Sequence, residues 1–173
     1  MKILVLKFRN IGDVLLVSPL LSNLKLYYTN SKIDIAINKG TEAMVEDNPN
    51  INKVIVYDRE RIKHLTVFNK IWNEFNFLWD FRKEKYDLVI NLTEGDRGTQ
   101  IALLSKAPVR IGYHNQNKIF KNAFTHHMPK QGKRHTIETN LDPLRVLNIP
   151  IEHKKVKIYW DTADKEIIES KLS

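Results

Sequence analysis

Cysteine is absent from this chain of 173 residues, so disulfides, thiolate nucleophiles and Cys-based zinc sites are all excluded, as suits a cytoplasmic protein. Acidic residues are in deficit: 20 Asp+Glu face 28 Lys+Arg, leaving a net charge of +8 that gathers anionic partners such as phosphates. Glycine is scarce as well. Gly12 is the one glycine before Gly40, too few for the GxGxxG loop of a dinucleotide site after the first strand. Long apolar runs are missing too. The N-terminal run at 3–8 is too short for a secretory signal, and no run approaches the roughly 20 residues that cross a bilayer, so membrane contact is expected to be peripheral. Helix-turn-helix, zinc and RNP signatures are absent, so no nucleic-acid partner is expected despite the basic charge.

What is present is a 42% hydrophobic chain, enough for one core, in which strand and helix patterns alternate. Strands are expected at 3–8, 32–37, 53–57, 86–92, 109–113 and 156–160. Helices are expected after the first strand, at 41–47 and at 137–147. Pro19 kinks the first helix unless that helix starts near Ser18. Phe68, Ile71, Trp72, Phe75, Leu78 and Trp79 recur at three- and four-residue spacing as one stripe of a long helix, read as its core-facing side, although a helix lying on a membrane uses the same pattern. The alternation specifies an α/β fold, a Rossmann-like parallel sheet with helices on both faces. The expected domain covers residues 1–160.

In such a sheet ligands bind beyond the carboxyl ends of the strands, which directs attention to Arg9, Asn10, Ile11, Gly12 and Asp13. Gly12 suits a turn that a residue with a side chain resists, and Asp13 stands where the next helix begins. Two readings of Asp13 follow: an N-cap for free backbone N–H groups, or a functional carboxylate. His126 and His127 are adjacent, so on a strand they face opposite ways and do not share a metal.

Residues 2–21 (KILVLKFRNIGDVLLVSPLL) resemble the opening of the ADP-heptose:lipopolysaccharide heptosyltransferases, glycosyltransferase family 9 of the GT-B class. The segments Lys39-Gly40-Thr41-Glu42, Asn48-Pro49-Asn50-Ile51, 86–98 and Val109-Arg110-Ile111-Gly112-Tyr113 resemble that family in order and spacing. The wording at 93–98 is closest to the type III members, which add a later heptose of the inner core.

The resemblance implies the N-terminal, acceptor-side half of a GT-B enzyme, with residues 161–173 starting a linker helix toward a nucleotide-sugar-binding domain and the fragment inactive alone. It implies inverting, metal-independent transfer of heptose from ADP-heptose to a phosphorylated inner core, with Asp13 as the base and no cofactor. One base suffices because ADP leaves as an already acidic phosphate, unlike the leaving group of a glycoside hydrolase. The acceptor's phosphates give the basic residues something to bind. Lys7, Arg9, Arg59, Arg61, Lys63, His64, Arg97 and Lys118, with Asn10, Gly12 and Asp96 beside them, are the candidate acceptor-binding residues. Lys130, Lys133, Arg134 and His135 read as a solvated basic face or a contact with anionic lipid, and His135 with Glu138 as a helix opening. The expected location is cytoplasmic, peripheral at the inner face of the cytoplasmic membrane. The alternative is a non-catalytic module that binds phosphorylated glycolipid.

Overall fold

The computed structural model describes residues 1–114, 117–130 and 132–160. Six strands, β1 (Lys2–Lys7), β2 (Lys32–Asn38), β3 (Lys53–Tyr57), β4 (Leu88–Asn91), β5 (Val109–Tyr113) and β6 (His126–Met128), form one sheet in the order β3-β2-β1-β4-β5-β6. Every pairing is parallel. The chain builds outward from β1 to β3 and then restarts at β4 on the other side of β1. This places a topological switch point between β1 and β4, where the strand ends open a crevice.

Among the described residues seven α-helices cover the sheet: α1 (Ile11–Leu15), α2 (Ser18–Tyr27), α3 (Arg59–Lys63), α4 (Val67–Lys83), α5 (Asp96–Ser105), α6 (Thr136–Asn140) and α7 (Asp142–Val146). The apolar run of β1 serves both faces because successive side chains point to opposite sides. Ile3 and Val5 join Leu20, Leu21, Leu24 and Leu144 in one cluster; Leu4 and Leu6 join Phe81, Ile101 and Ala102 in the other. Each such aliphatic side chain contributes about 1.5–3 kcal/mol by leaving water. The buried carboxylate of Asp34, in β2, accepts from Tyr86 Oη at 2.9 Å and Asn52 Nδ2 at 2.7 Å, so the core holds no unsatisfied charge there.

Several expected elements differ. Pro19 meets the second of its two expectations and kinks no helix: α1 ends at Leu15 and α2 starts at Ser18, with the proline in its first turn, where its missing N–H is harmless. The expected helix at 137–147 is two, because Pro143 enters in the first turn of α7. Residues 41–47 hold only a short 3-10 turn, Glu42–Met44. The sixth strand is His126–Met128 and not 156–160, which has no regular structure. That last segment lies across α2 instead: Asn23 Oδ1 accepts from the amides of Glu152 and His153 at 2.7 and 3.0 Å, and Ser18 Oγ accepts from Lys157 N at 3.0 Å. Side chains of α2 satisfy its backbone, so it needs no sheet neighbour. The expected linker at 161–173 lies outside the described residues.

The aromatic stripe of α4 does not face the core. Phe68, Ile71, Trp72, Phe75 and Trp79 are exposed, Phe68 by 77%. The sheet side of the helix is taken by Phe77, Leu78 and Phe81, of which Phe81 is buried. Seventeen residues of helix carry two apolar faces and the domain covers one.

Candidate active site

An open cleft of about 690 Å³ lies at the carboxyl ends of the strands, lined by Phe8, residues 38–40, residues 57–60 and residues 93–98. It is built by the loops after β1, β2, β3 and β4. The two loops at the switch point are tied together, with Phe8 N donating to Thr93 Oγ1 at 2.8 Å and Arg9 lying 3.7 Å from Glu94.

Glycine shapes the β4 side. Gly95 has φ +113°, a left-handed geometry costly for other residues, and it turns the chain into α5. Gly98 lets α5 approach Asn91, whose Oδ1 would sit 2.3 Å from an added Cβ. Gly12 is different. It lies in α1 without a positive φ, and a Cβ there would meet nothing within 4 Å, so neither the backbone nor packing demands a glycine. The expected tight turn is not its reason.

Asp13 is the third residue of α1 and half-buried. Asn10 holds the N-cap position and makes no side-chain capping bond, so the capping reading of Asp13 does not apply. Among the described residues no hydrogen bond or ion pair engages the Asp13 carboxylate. Lys7, at the end of β1, is buried and donates to Asn140 Oδ1 at 3.0 Å. Burial lowers the Lys7 ammonium to about 8, opposed by the charge of Asp13 and assisted by that of Arg9. Lys7 therefore stands behind the loop, where it influences Asp13 electrostatically and is shielded from an exposed phosphate.

Of the candidate binding residues, Arg59, Asp96 and Arg97 line the cleft, and Arg9 stands at its rim through Glu94. Arg97 is a pillar as much as a clamp. Its guanidinium donates to both oxygens of Glu74, at 2.8 and 3.2 Å, and stacks 3.7 Å above the Tyr57 ring. Tyr57 donates to the same carboxylate at 2.5 Å. Burial and then the bond to Glu74 push the Tyr57 hydroxyl up to about 12. Arg61, Lys63 and His64 lie outside the cleft lining, and Lys63 is bonded to Glu60 at 2.6 Å. Lys118 starts a short 3-10 turn, Lys118–Phe120, and its side chain lies outside the described structure.

Sequence reading gave no site role to Lys39, Asp58, Tyr57 or Glu74. Lys39 donates to Asp58 at 2.6 Å, and this contact lowers the Asp58 carboxyl below its ordinary range while Asp58 also caps α3. A position just after β2 was the available signal for Lys39; Glu74 had none, being mid-helix. His135 and Glu138 do open a helix: the His135 ring caps α6, and Glu138 pairs with Arg145. Arg134 belongs to no free basic face, since it holds the buried carboxylate of Asp142. Among the described residues no cluster of three or more His, Asp or Glu is arranged to hold a metal.

The doubly wound sheet, with its cleft at the switch point, defines a Rossmann-like α/β domain. A glycosyltransferase family 9 structure from Veillonella parvula shares the fold at TM-score 0.79 and 23% identity, over 99% of this chain and 49% of that one. The Escherichia coli heptosyltransferase WaaC, solved with ADP-2-deoxy-2-fluoro heptose, gives TM-score 0.75 at 17% identity, over 91% of this chain and 51% of that one. No family model matches. Two E. coli proteins named lipopolysaccharide heptosyltransferase 3 are 33% and 36% identical over 141 and 144 residues, which is 80% of this chain and 40% of each relative. The chain belongs to the heptosyltransferase family and spans about two fifths of the length of these relatives.

Proposed function

We propose that this chain is the acceptor-side domain of an inverting, metal-independent heptosyltransferase. In this reading Asp13 removes the proton from an acceptor hydroxyl of the phosphorylated lipopolysaccharide inner core as that oxygen attacks the anomeric carbon of ADP-heptose. The observation that carries it is the unpartnered carboxylate of Asp13, held past the end of β1 beside the switch point. A base needs a lone pair open to its substrate, and no capping bond competes for those of Asp13. Gly12, which the fold does not require, leaves open space next to that carboxylate for a sugar to approach. The relatives' name supports the lipopolysaccharide acceptor, and the ADP-2-deoxy-2-fluoro heptose held by WaaC supports ADP-heptose as donor.

Arg59 and Arg9, with the α5 N-terminus, supply positive charge for the acceptor's phosphates. The second domain expected from the family holds the nucleotide sugar, and the enzyme works peripherally at the inner face of the cytoplasmic membrane. The test is turnover of ADP-heptose with a phosphorylated, heptose-deficient core by the enzyme that contains this chain. Asp13→Asn is expected to lower kcat by about 10²–10⁴ with an unchanged circular dichroism spectrum. Turnover within a few-fold of wild type removes Asp13 from the base role. Binding of core oligosaccharide without turnover by the complete enzyme favours the non-catalytic module.

A further inference from the structure

Among the described residues nothing covers the exposed face of α4, and its composition points to the kind of partner. At about 100° per residue, Phe68, Ile71, Trp72, Phe75 and Trp79 fall within an arc of about 100°. The rings of Trp72, Phe75 and Trp79 form a stack, with centroids 6.3 and 5.7 Å apart and interplanar angles of 27° and 15°. This is a preformed platform, with 53% or more of Phe68, Ile71, Trp72 and Phe75 exposed. Isolated exposed apolar residues are ordinary; five on one helix face are an interaction surface.

Charge selects among occupants. Between residues 59 and 83 there are six Lys or Arg and three Asp or Glu. No acidic residue falls on the aromatic arc; Asp80 lies to one side beside Lys83, and Glu74 is turned toward Arg97. A second copy of the chain docked through this face would set one basic ridge against another. An anionic lipid surface complements it, and large aromatics bordered by Lys and Arg are the pattern of a helix that lies in a bilayer interface.

We propose that α4 docks on the surface of an anionic phospholipid bilayer, with Phe68, Ile71, Trp72, Phe75 and Trp79 entering the boundary between headgroups and acyl chains. Arg61 and Lys63 of α3 and Arg82 and Lys83 at the end of α4 meet the lipid phosphates. The same helix contributes Glu74 to the pillar beneath Arg97 and Tyr57, so a docked α4 holds the cleft next to the membrane surface. That last consequence rests on the function proposed above, whereas the docking itself does not.

The test uses the intact chain and vesicles of phosphatidylcholine containing about one third phosphatidylglycerol, with neither lipopolysaccharide nor nucleotide sugar present. Trp160→Phe leaves Trp72 and Trp79 as the only tryptophans. Binding is expected to shift their emission to shorter wavelength, to weaken in high salt and to be much weaker on phosphatidylcholine alone. Phe68→Ser with Phe75→Ser should lower the partition coefficient by about tenfold per side chain, and both positions are exposed, so circular dichroism should not change. Wild-type affinity in that double variant overturns the proposal. So does absence of vesicle binding, and a dimer in sedimentation equilibrium that the double variant abolishes then names a second copy as the occupant. Turnover on a delipidated acceptor by the enzyme that contains this chain is a separate readout that the ridge variant should leave intact, so failure of docking and failure of the transfer reading are distinguishable.

Discussion

Removing the Glu74 carboxylate should destabilise the domain through Arg97. The two residues share a bidentate ion pair, at 2.8 and 3.2 Å, with side chains only 29% and 32% exposed, and Tyr57 adds a third bond to the same carboxylate. A charged hydrogen bond contributes about 1.5–3 kcal/mol, and partial exposure puts this pair toward the lower end. Glu74→Ala is therefore expected to cost about 2–3 kcal/mol, since it strands both the guanidinium and the tyrosine hydroxyl. For a chain of this size that lowers Tm by roughly 4–10 °C. Arg97→Ala should cost about as much. Because the residues share one network, the double variant should cost about 1–2 kcal/mol less than the sum. Burial opposes ionisation of Glu74, but the bonds from Arg97 and Tyr57 and the Arg97 charge together outweigh it and hold the carboxyl below its ordinary 4.5. The folded value is depressed, so the stabilisation is complete above pH 4.5 and is lost as pH falls through the lower folded value. Urea unfolding of the four proteins, followed by circular dichroism at neutral pH and below pH 4.5, measures both effects. Additive single effects, or a coupling independent of pH, would refute this account of the pillar.

Two glycines should respond oppositely. Gly98→Ala places a Cβ 2.3 Å from Asn91 Oδ1 and should lower stability by about 1–3 kcal/mol, whereas Gly12→Ala should leave stability unchanged or raise it by up to about 1 kcal/mol, as thermal unfolding would report. If the space beside Gly12 admits substrate, Gly12→Ala should raise KM despite that stability, and an unchanged KM counts against acceptor contact there. Lys7 has a depressed folded value, about 8 against an ordinary 10.5, so stability should rise with pH between those values; Lys7→Met should flatten that rise. A slope retained in Lys7→Met would assign the titration elsewhere.

Much of the architecture was legible from residue order. Period-two and continuous apolar runs marked five of the six strands, because buried parallel strands must be apolar on both faces. The connection after β1 was legible as a place to look because a strand end in an open sheet is a ligand edge, but there the cleft is lined by Phe8 and not by Asp13.

Tertiary structure decided the rest. His126–Met128 carries too few residues to show a period, and its strand state depends on β5 offering a free edge. The segment 151–160 has strand-like composition, but Asn23 and Ser18 satisfy its backbone before any sheet does. Glu74 and Tyr57 are distant in sequence from Arg97 and meet it only because α4 packs beside α5 at the strand ends. Periodicity in α4 revealed an apolar face but not its direction, since a stripe reads the same whether core or membrane covers it. Local sequence sets which side chains share a face; the neighbours that the fold supplies determine what that face meets.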